Sequence, residues 1–205
     1  RMSDEVLAKY VEQYVEAQPT PVVEFVWHGG EPTLLGVDFY RRVVEAQKPF
    51  RGRKEIRNTL QTNALSLDDE WCAFFKEHDF FIGVSLDGPK EVHDRYRKDR
   101  HGAGTFDRVM AGVRLLQKHG VEFNALACVG RETAYKPLEV YRFFKEAGIR
   151  YIQFTPIVEP EPGAGTNAIK FWPARPAVLD RPEPNTKVTP WTVEPEAYGD
   201  FLIAI

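Results

Sequence analysis

The sequence predicts an α/β fold in which a parallel sheet is covered by helices. Three observations predict it. Between about residue 3 and residue 158, short apolar runs alternate with stretches whose apolar residues recur at helical spacing; such alternation marks βα units and a parallel sheet. The runs are bounded by Gly, Pro and Asn turns. At 205 residues the chain suits one domain with an appendage and falls short of the roughly 250 residues of a closed eight-unit barrel. The right-handed crossover rule favours either a barrel-type or a doubly wound sheet.

Each element follows from local signals. Ser3 can cap a helix carrying Leu7, Tyr10, Val11, Tyr14 and Val15, ended by Pro19 and Pro21. Val22 to Trp27 is an apolar run typical of a buried strand, followed by a turn at Gly29-Gly30-Glu31-Pro32. A second helix carries Phe39, Tyr40, Val43 and Val44 and stops before Pro49; Lys54 to Thr62 is the next strand. Ser66 or Asp68 can cap a third helix bearing Trp71, Phe74 and Phe75. Phe80 to Leu86 is a strand ending in Asp87-Gly88-Pro89. Thr105 starts a helix closed by Gly120, and Val121 to Val129 is a strand. Pro137 suits the first turn of a helix closed by Gly148, and Tyr151 to Val158 is the last strand. The leading helix has no strand before it, and Arg precedes Met at the start. Both features suggest a sequence cut at its N-terminal side.

Beyond Val158 the composition shifts. Eight of the fifteen prolines lie in residues 160–195, and Pro160-Glu161-Pro162-Gly163 and Arg181-Pro182-Glu183-Pro184 cannot be regular helix or strand interior. Residues 160–205 therefore divide from 1–159 as an irregular Pro-rich loop. A helix is expected from Thr192 to Ile205, where the chain ends, suggesting truncation there too.

Composition excludes several classes. Apolar residues at 43% and aromatics at 13% can build a core, and 28% charged residues argue against extensive disorder. A formal net charge of -3 gives no basic bias toward nucleic acid. No apolar stretch reaches the 18–20 or so residues of a membrane span, and the acidic Asp4-Glu5 start lacks a signal core. Two cysteines, Cys72 and Cys128, exclude a disulfide scaffold and a four-cysteine site made by this chain alone. A cytoplasmic, reducing compartment is the expectation.

In parallel α/β folds, ligands bind where strands hand over to helices, so chemistry is sought at strand tips. His28-Gly29-Gly30-Glu31-Pro32 offers two glycines that let backbone approach a ligand, a carboxylate and a stiff exit; an ordinary βα turn is the plain alternative. Gln61-Thr62-Asn63 supplies small polar groups that can bond a ligand or cap a helix. Ser85 at the next tip and Arg97 twelve residues on could jointly hold a carboxylate, through arginine's planar fork. Taken alone, Asp87 capping a turn and a solvated Arg95/Arg97 face account for them more simply. Ile157-Val158 could wall the face of a base or simply pack in the core. Cys128, inside a strand run, and Cys72, on an amphipathic helix, read as small core residues. The five histidines lack metal-ligand spacing, and no phosphate loop, nucleophile elbow or dinucleotide fingerprint is present.

Four strings in order make the pattern specific: Trp27-His28-Gly29-Gly30-Glu31-Pro32-Thr33-Leu34; Leu60-Gln61-Thr62-Asn63; Ser85-Leu86-Asp87-Gly88-Pro89 with His93-Asp94-Arg95-Tyr96-Arg97; and Gln153-Phe154 with Pro156-Ile157-Val158-Glu159. Together they resemble the anaerobic sulfatase-maturating enzymes, radical S-adenosylmethionine enzymes with a cysteine-rich C-terminal extension. The resemblance covers residues 3–205 and is strongest over 25–159. It implies a partial (β/α)6-type barrel with parallel strands whose first strand is missing from this sequence. By resemblance, Gly29, Gly30, Glu31 and Pro32 bind the amino group of the S-adenosylmethionine methionyl moiety, and Ser85 and Arg97 hold its carboxylate. Thr62 and Asn63 line the cofactor cleft, Val158 contacts adenine, and His28 and Gln61 face the substrate. The implied reaction cleaves S-adenosylmethionine at a reduced 4Fe-4S cluster. A β-hydrogen is then removed from a cysteine or serine of a sulfatase segment, and oxidation leaves Cα-formylglycine. The implied partners are the sulfatase polypeptide and an electron donor such as flavodoxin or ferredoxin, with no nucleic acid and no membrane.

The sequence also departs from that family. The three-cysteine cluster motif, the cysteines of the extension and the region of the base aspartate are absent from it. The chain is therefore expected to be a central fragment that is inactive alone. Two other readings stay open: a radical S-adenosylmethionine maturase of ribosomally made peptides, and a cluster-free peptide- or nucleotide-binding module. A metal-independent barrel enzyme using Glu31 and Asp87 as an acid/base pair ranks last.

Overall fold

The structure, a computed structural model, describes residues 2–159 and 188–205. Five strands, β1 (Val22–Trp27), β2 (Glu55–Thr62), β3 (Phe80–Ser85), β4 (Phe123–Val129) and β5 (Ile152–Pro156), form one sheet in the order β1-β2-β3-β4-β5. Every pairing is parallel, with Trp27 opposite Leu60, Gln61 opposite Gly83, Ser85 opposite Leu126 and Cys128 opposite Thr155. The sheet is an open half-barrel, the partial barrel that the resemblance implies. Seven helices accompany it among the described residues: α1 (Asp4–Ala17), α2 (Val37–Gln47), α3 (Asp69–Glu77), α4 (Lys90–Tyr96), α5 (Phe106–His119), α6 (Pro137–Glu146) and α7 (Pro195–Ala204).

Strand parity decides which face the helices cover. Successive side chains point to opposite faces. Phe25, Leu60, Ile82, Val84, Ala125, Ala127 and Val129 are all buried in one core with the apolar stripes of the helices. Val26, Gln61, Ser85 and Cys128, at alternate positions, lie on the opposite, concave face and are half-buried or exposed. Cys128 is therefore not the core residue expected from its strand run. Its neighbours Ala127 and Val129 take that role, and parity turns its thiol to the concave side. Cys72 is core as expected, and burial pushes its thiol pKa up to about 11.

The expected element ends shift by small amounts with identifiable causes. Ser3 and Asp68 cap α1 and α3 by accepting from Val6 N–H and Trp71 N–H. Thr105 precedes α5, but its hydroxyl donates to the Arg97 carbonyl (3.0 Å). Asp94 of α4 accepts from Phe106 N–H (2.8 Å) and caps α5 instead. The last helix starts at Pro195 rather than Thr192, because Pro suits a first helical turn and Pro190-Trp191 make a turn, closed by Thr192 N–H donating to the Thr189 carbonyl (3.0 Å), beside the residues that follow β5. There Thr189 N–H donates to the Glu159 carbonyl and Val193 N–H to that of Ile157. Pro160 to Gly163 and Arg181 to Pro184, the strings behind the expected loop, lie outside the described residues.

One buried polar knot ties the first two strands to α2. Gln47 and Asn58, both buried, exchange side-chain amide hydrogen bonds of 2.9 Å in each direction, and Trp27 Nε1–H donates to the same Asn58 oxygen (3.0 Å). Every polar atom of the knot thereby finds a partner, as burial demands.

Candidate functional site

The C-terminal ends of β1 to β4 carry two hydrogen-bonded clusters. The first is built on Glu31. Gly29 and Gly30, just beyond β1, have φ of 101° and 56°, a backbone that L side chains rarely adopt. Nothing lies within 4 Å of where a Cβ on either would stand, so a ligand can reach this backbone. Glu31 then turns its carboxylate inward. Oε1 accepts from the Thr33 amide (3.1 Å), the Thr33 hydroxyl (2.7 Å) and the Thr62 hydroxyl (2.7 Å), while Oε2 accepts from the Asn63 amide (2.8 Å). The glycine turn is stitched to the tip of β2, and the carboxylate serves that stitch. Pro32 is buried beneath it, and its carbonyl accepts from the buried Tyr40 hydroxyl (3.3 Å). Burial, and then the Glu31 charge, raise the Tyr40 pKa far above its ordinary value.

Thr62 is itself buried, and its hydroxyl, besides donating to Glu31, accepts from Ala64 N–H (3.0 Å). Its place in the site is to hold Glu31. Asn63 is half-buried, and its side-chain oxygen accepts from Leu65 N–H (3.0 Å), turning the chain. Ala64, between them, has φ 59°, a conformation costing a non-glycine residue about 1–3 kcal/mol and often found at functional sites.

The second cluster is built on Asp87, just past β3. Its buried carboxylate receives Arg97 side-on: Nε donates to Oδ2 (2.6 Å) and Nη2 to Oδ1 (2.9 Å), while Oδ1 also accepts from Cys128 N–H of β4 (2.9 Å). Burial opposes the Arg97 charge, but the Asp87 hydrogen bonds and charge outweigh it and hold the guanidinium protonated. The Cys128 sulfur lies 3.6 Å from Nη2, and burial, then the Asp87 charge, raise the thiol pKa. Ser85, at the end of β3, is half-buried on the concave face, and its hydroxyl makes no hydrogen bond among the described residues.

The remaining expected residues spread along the mouth. His28 is exposed at the end of β1, Gln61 lies on the concave face one strand over, and Val158 is 66% exposed beyond β5. Val158 thus stands across the sheet from the glycine turn. Sequence reasoning missed the part played by Asp87, which reads as a turn cap, and by His93, which shows no ligand spacing. Both act through partners distant in sequence. A cavity of about 310 Å³ opens at the other end of the strands beside Phe80, Phe81 and Glu122 and takes no part in this mouth.

Comparison with known proteins places this arrangement. The radical SAM superfamily profile matches residues 1–144. The chain belongs to the radical SAM superfamily. Within it the chain is a homologue of the anaerobic sulfatase-maturating enzymes. It is 42% identical over 204 residues to the serine-type anaerobic sulfatase-maturating enzyme of Bacteroides thetaiotaomicron, covering 100% of this chain and 48% of that one. Against the cysteine-type enzyme of Clostridium novyi it is 39% identical over 137 residues, covering 66% of this chain and 37% of the relative. A solved structure, native anSMEcpe with bound AdoMet and Cp18Cys peptide, superposes with a TM-score of 0.80 at 33% identity, covering 98% of this chain and 50% of that chain. This radical SAM chain spans about half the length of the curated relatives it matches.

The residues present fit S-adenosylmethionine and do not fit an iron–sulfur cluster. The open glycine backbone and the part-free guanidinium edge of Arg97 complement an amino acid head group. The chain's two cysteines cannot supply three thiolates, and among the described residues no group of three His, Cys, Asp or Glu is placed to hold a metal ion. Among the described residues, too, no helix is long and apolar enough to cross a membrane.

Proposed function

We propose that this chain is the cofactor-holding part of an anaerobic sulfatase-maturating enzyme, acting on a cysteine or serine of a sulfatase segment to give Cα-formylglycine. One observation carries the reading. The glycine turn, the β2 tip and Ser85 sit on consecutive strand ends, where strands about 4.8 Å apart let one small molecule touch several, and Arg97, just after α4, is clasped to Asp87 at the same mouth. The backbone of Gly29 to Pro32 binds the amino group of the S-adenosylmethionine head. Ser85 and the open edge of Arg97 take its carboxylate, and Val158 lies against the adenine. His28 and Gln61 face the peptide. When bound, the cofactor supplies the radical chemistry; the chain's residues bind and orient it. Relatives of both the serine and the cysteine type match, so the reading covers both substrates.

Two measurements test it. Isothermal titration of the chain with S-adenosylmethionine should give binding that Arg97→Ala weakens by tenfold or more, on the order of 1.4 kcal/mol. Absence of any binding would remove the cofactor assignment. The complete gene product, with its clusters reconstituted anaerobically, should convert a Cys-x-Pro-x-Arg peptide or its serine counterpart to formylglycine by mass spectrometry. Modification of an unrelated peptide alone would point instead to a peptide maturase.

A further inference from the structure

We propose that Asp87, His93 and Thr105 are positioning residues that fix the direction in which Arg97 presents its guanidinium to a ligand carboxylate. The proposal rests on the S-adenosylmethionine reading of the mouth and goes beyond it to residues that do not touch the cofactor.

The four residues form a closed ring of hydrogen bonds. Asp87 N–H donates to His93 Nδ1 (3.4 Å), which places the ring proton on Nε2. Nε2–H then donates to the Thr105 hydroxyl (3.0 Å), and that hydroxyl donates to the Arg97 carbonyl (3.0 Å). Arg97 closes the ring through its two bonds to the Asp87 carboxylate. Each donor has one acceptor, so the ring runs in a single direction and requires neutral His93. His93 is fully buried, and its neutral state is the one burial favours. The backbone of Arg97 is held a second time, by its N–H donating to the His93 carbonyl (2.9 Å).

The ring settles which edge of Arg97 is open. Guanidinium has a side-on edge, Nε with Nη2, and an end-on edge, Nη1 with Nη2. Asp87 fills the side-on edge. Nη1 makes no hydrogen bond among the described residues, and the second Nη2 hydrogen is donated only to the Cys128 sulfur (3.6 Å), a weak acceptor that a carboxylate can replace. A carboxylate therefore meets Arg97 end-on. The Asp87–Arg97 pair carries no net charge, so it recognises by direction and suits a zwitterionic head group better than a plain anion. Without Asp87 or the His93–Thr105 bridge, the long arginine side chain regains its rotamers and that direction is lost.

The test compares S-adenosylmethionine with its decarboxylated analogue, which keeps the amino and sulfonium groups, by calorimetric titration of the full chain. The unsubstituted chain should bind S-adenosylmethionine more tightly than the analogue. Asp87→Asn and Thr105→Val should each weaken S-adenosylmethionine about tenfold and leave the analogue within about twofold. Thr105→Ser, which keeps the hydroxyl, should retain wild-type affinity for both. Equal weakening of both ligands would mean that these residues hold the fold rather than aim Arg97, and would overturn the proposal. So would unchanged S-adenosylmethionine affinity in the Asn and Val variants. If the unsubstituted chain bound neither ligand, the reading of the mouth would fail first and the proposal with it.

Discussion

Glu31 shows what a single side chain contributes here. Its carboxylate accepts four hydrogen bonds from two segments thirty residues apart, and bonds to charged groups are worth about 1.5–3 kcal/mol each without being additive. Glu31→Ala should lower stability by roughly 2–4 kcal/mol, seen as a lower urea midpoint at unchanged slope. His93 gives a pH prediction. Burial holds its pKa below the ordinary 6.5, so near that value the unfolded chain takes up a proton that the folded chain refuses. Stability should fall as pH drops below 6.5, measured by urea titrations across that range, and His93→Gln should flatten the slope. The sequence displays Gly29, Gly30 and Arg97 because their chemistry is intrinsic. It does not display that Glu31 faces inward or that Asp87 occupies half of Arg97, because those roles depend on which strand tips adjoin.

At the scale of elements, the strands and most helices are legible because periodicity and caps are local. What was not legible is borrowed capping. Thr105 has the right chemistry for an N-cap, yet Asp94, eleven residues earlier and on the unanticipated α4, does the work. Asp94→Ala should cost about 1 kcal/mol, and Asp94→Asn much less, by thermal or urea melts. Gly104 belongs to the same arrangement, since a Cβ there would stand 2.2 Å from the Asp94 carboxylate carbon. The Gln47–Asn58 knot makes a second prediction. Asn58→Leu strands the Gln47 amide and the Trp27 indole and should destabilise by about 2–4 kcal/mol; adding Gln47→Leu should recover part of that loss, since one orphaned group is removed.

For the whole molecule, parity and topology together make the site: one face of the sheet is sealed by helices, and the other is left for chemistry. β3 is flanked by two strands on each side, whereas β1 and β5 each keep one unpaired edge among the described residues. Hydrogen exchange read by mass spectrometry should therefore be slowest in 80–85, with faster exchange in 22–27 and 152–156; uniform protection across the five strands would contradict this arrangement. Barrel against doubly wound sheet was open from composition and spacing alone, because both use the same βα unit; strand order decides it, and that order is strictly sequential. A ribosome thus delivers each new strand beside one that has already emerged, so every pairing closes over a short stretch of chain. The Glu31 stitch can form once residue 63 is free of the exit tunnel, and the Arg97 clasp needs only Cys128 beyond it. Sequential strand order thus lets the mouth form in the order of synthesis, one half at a time.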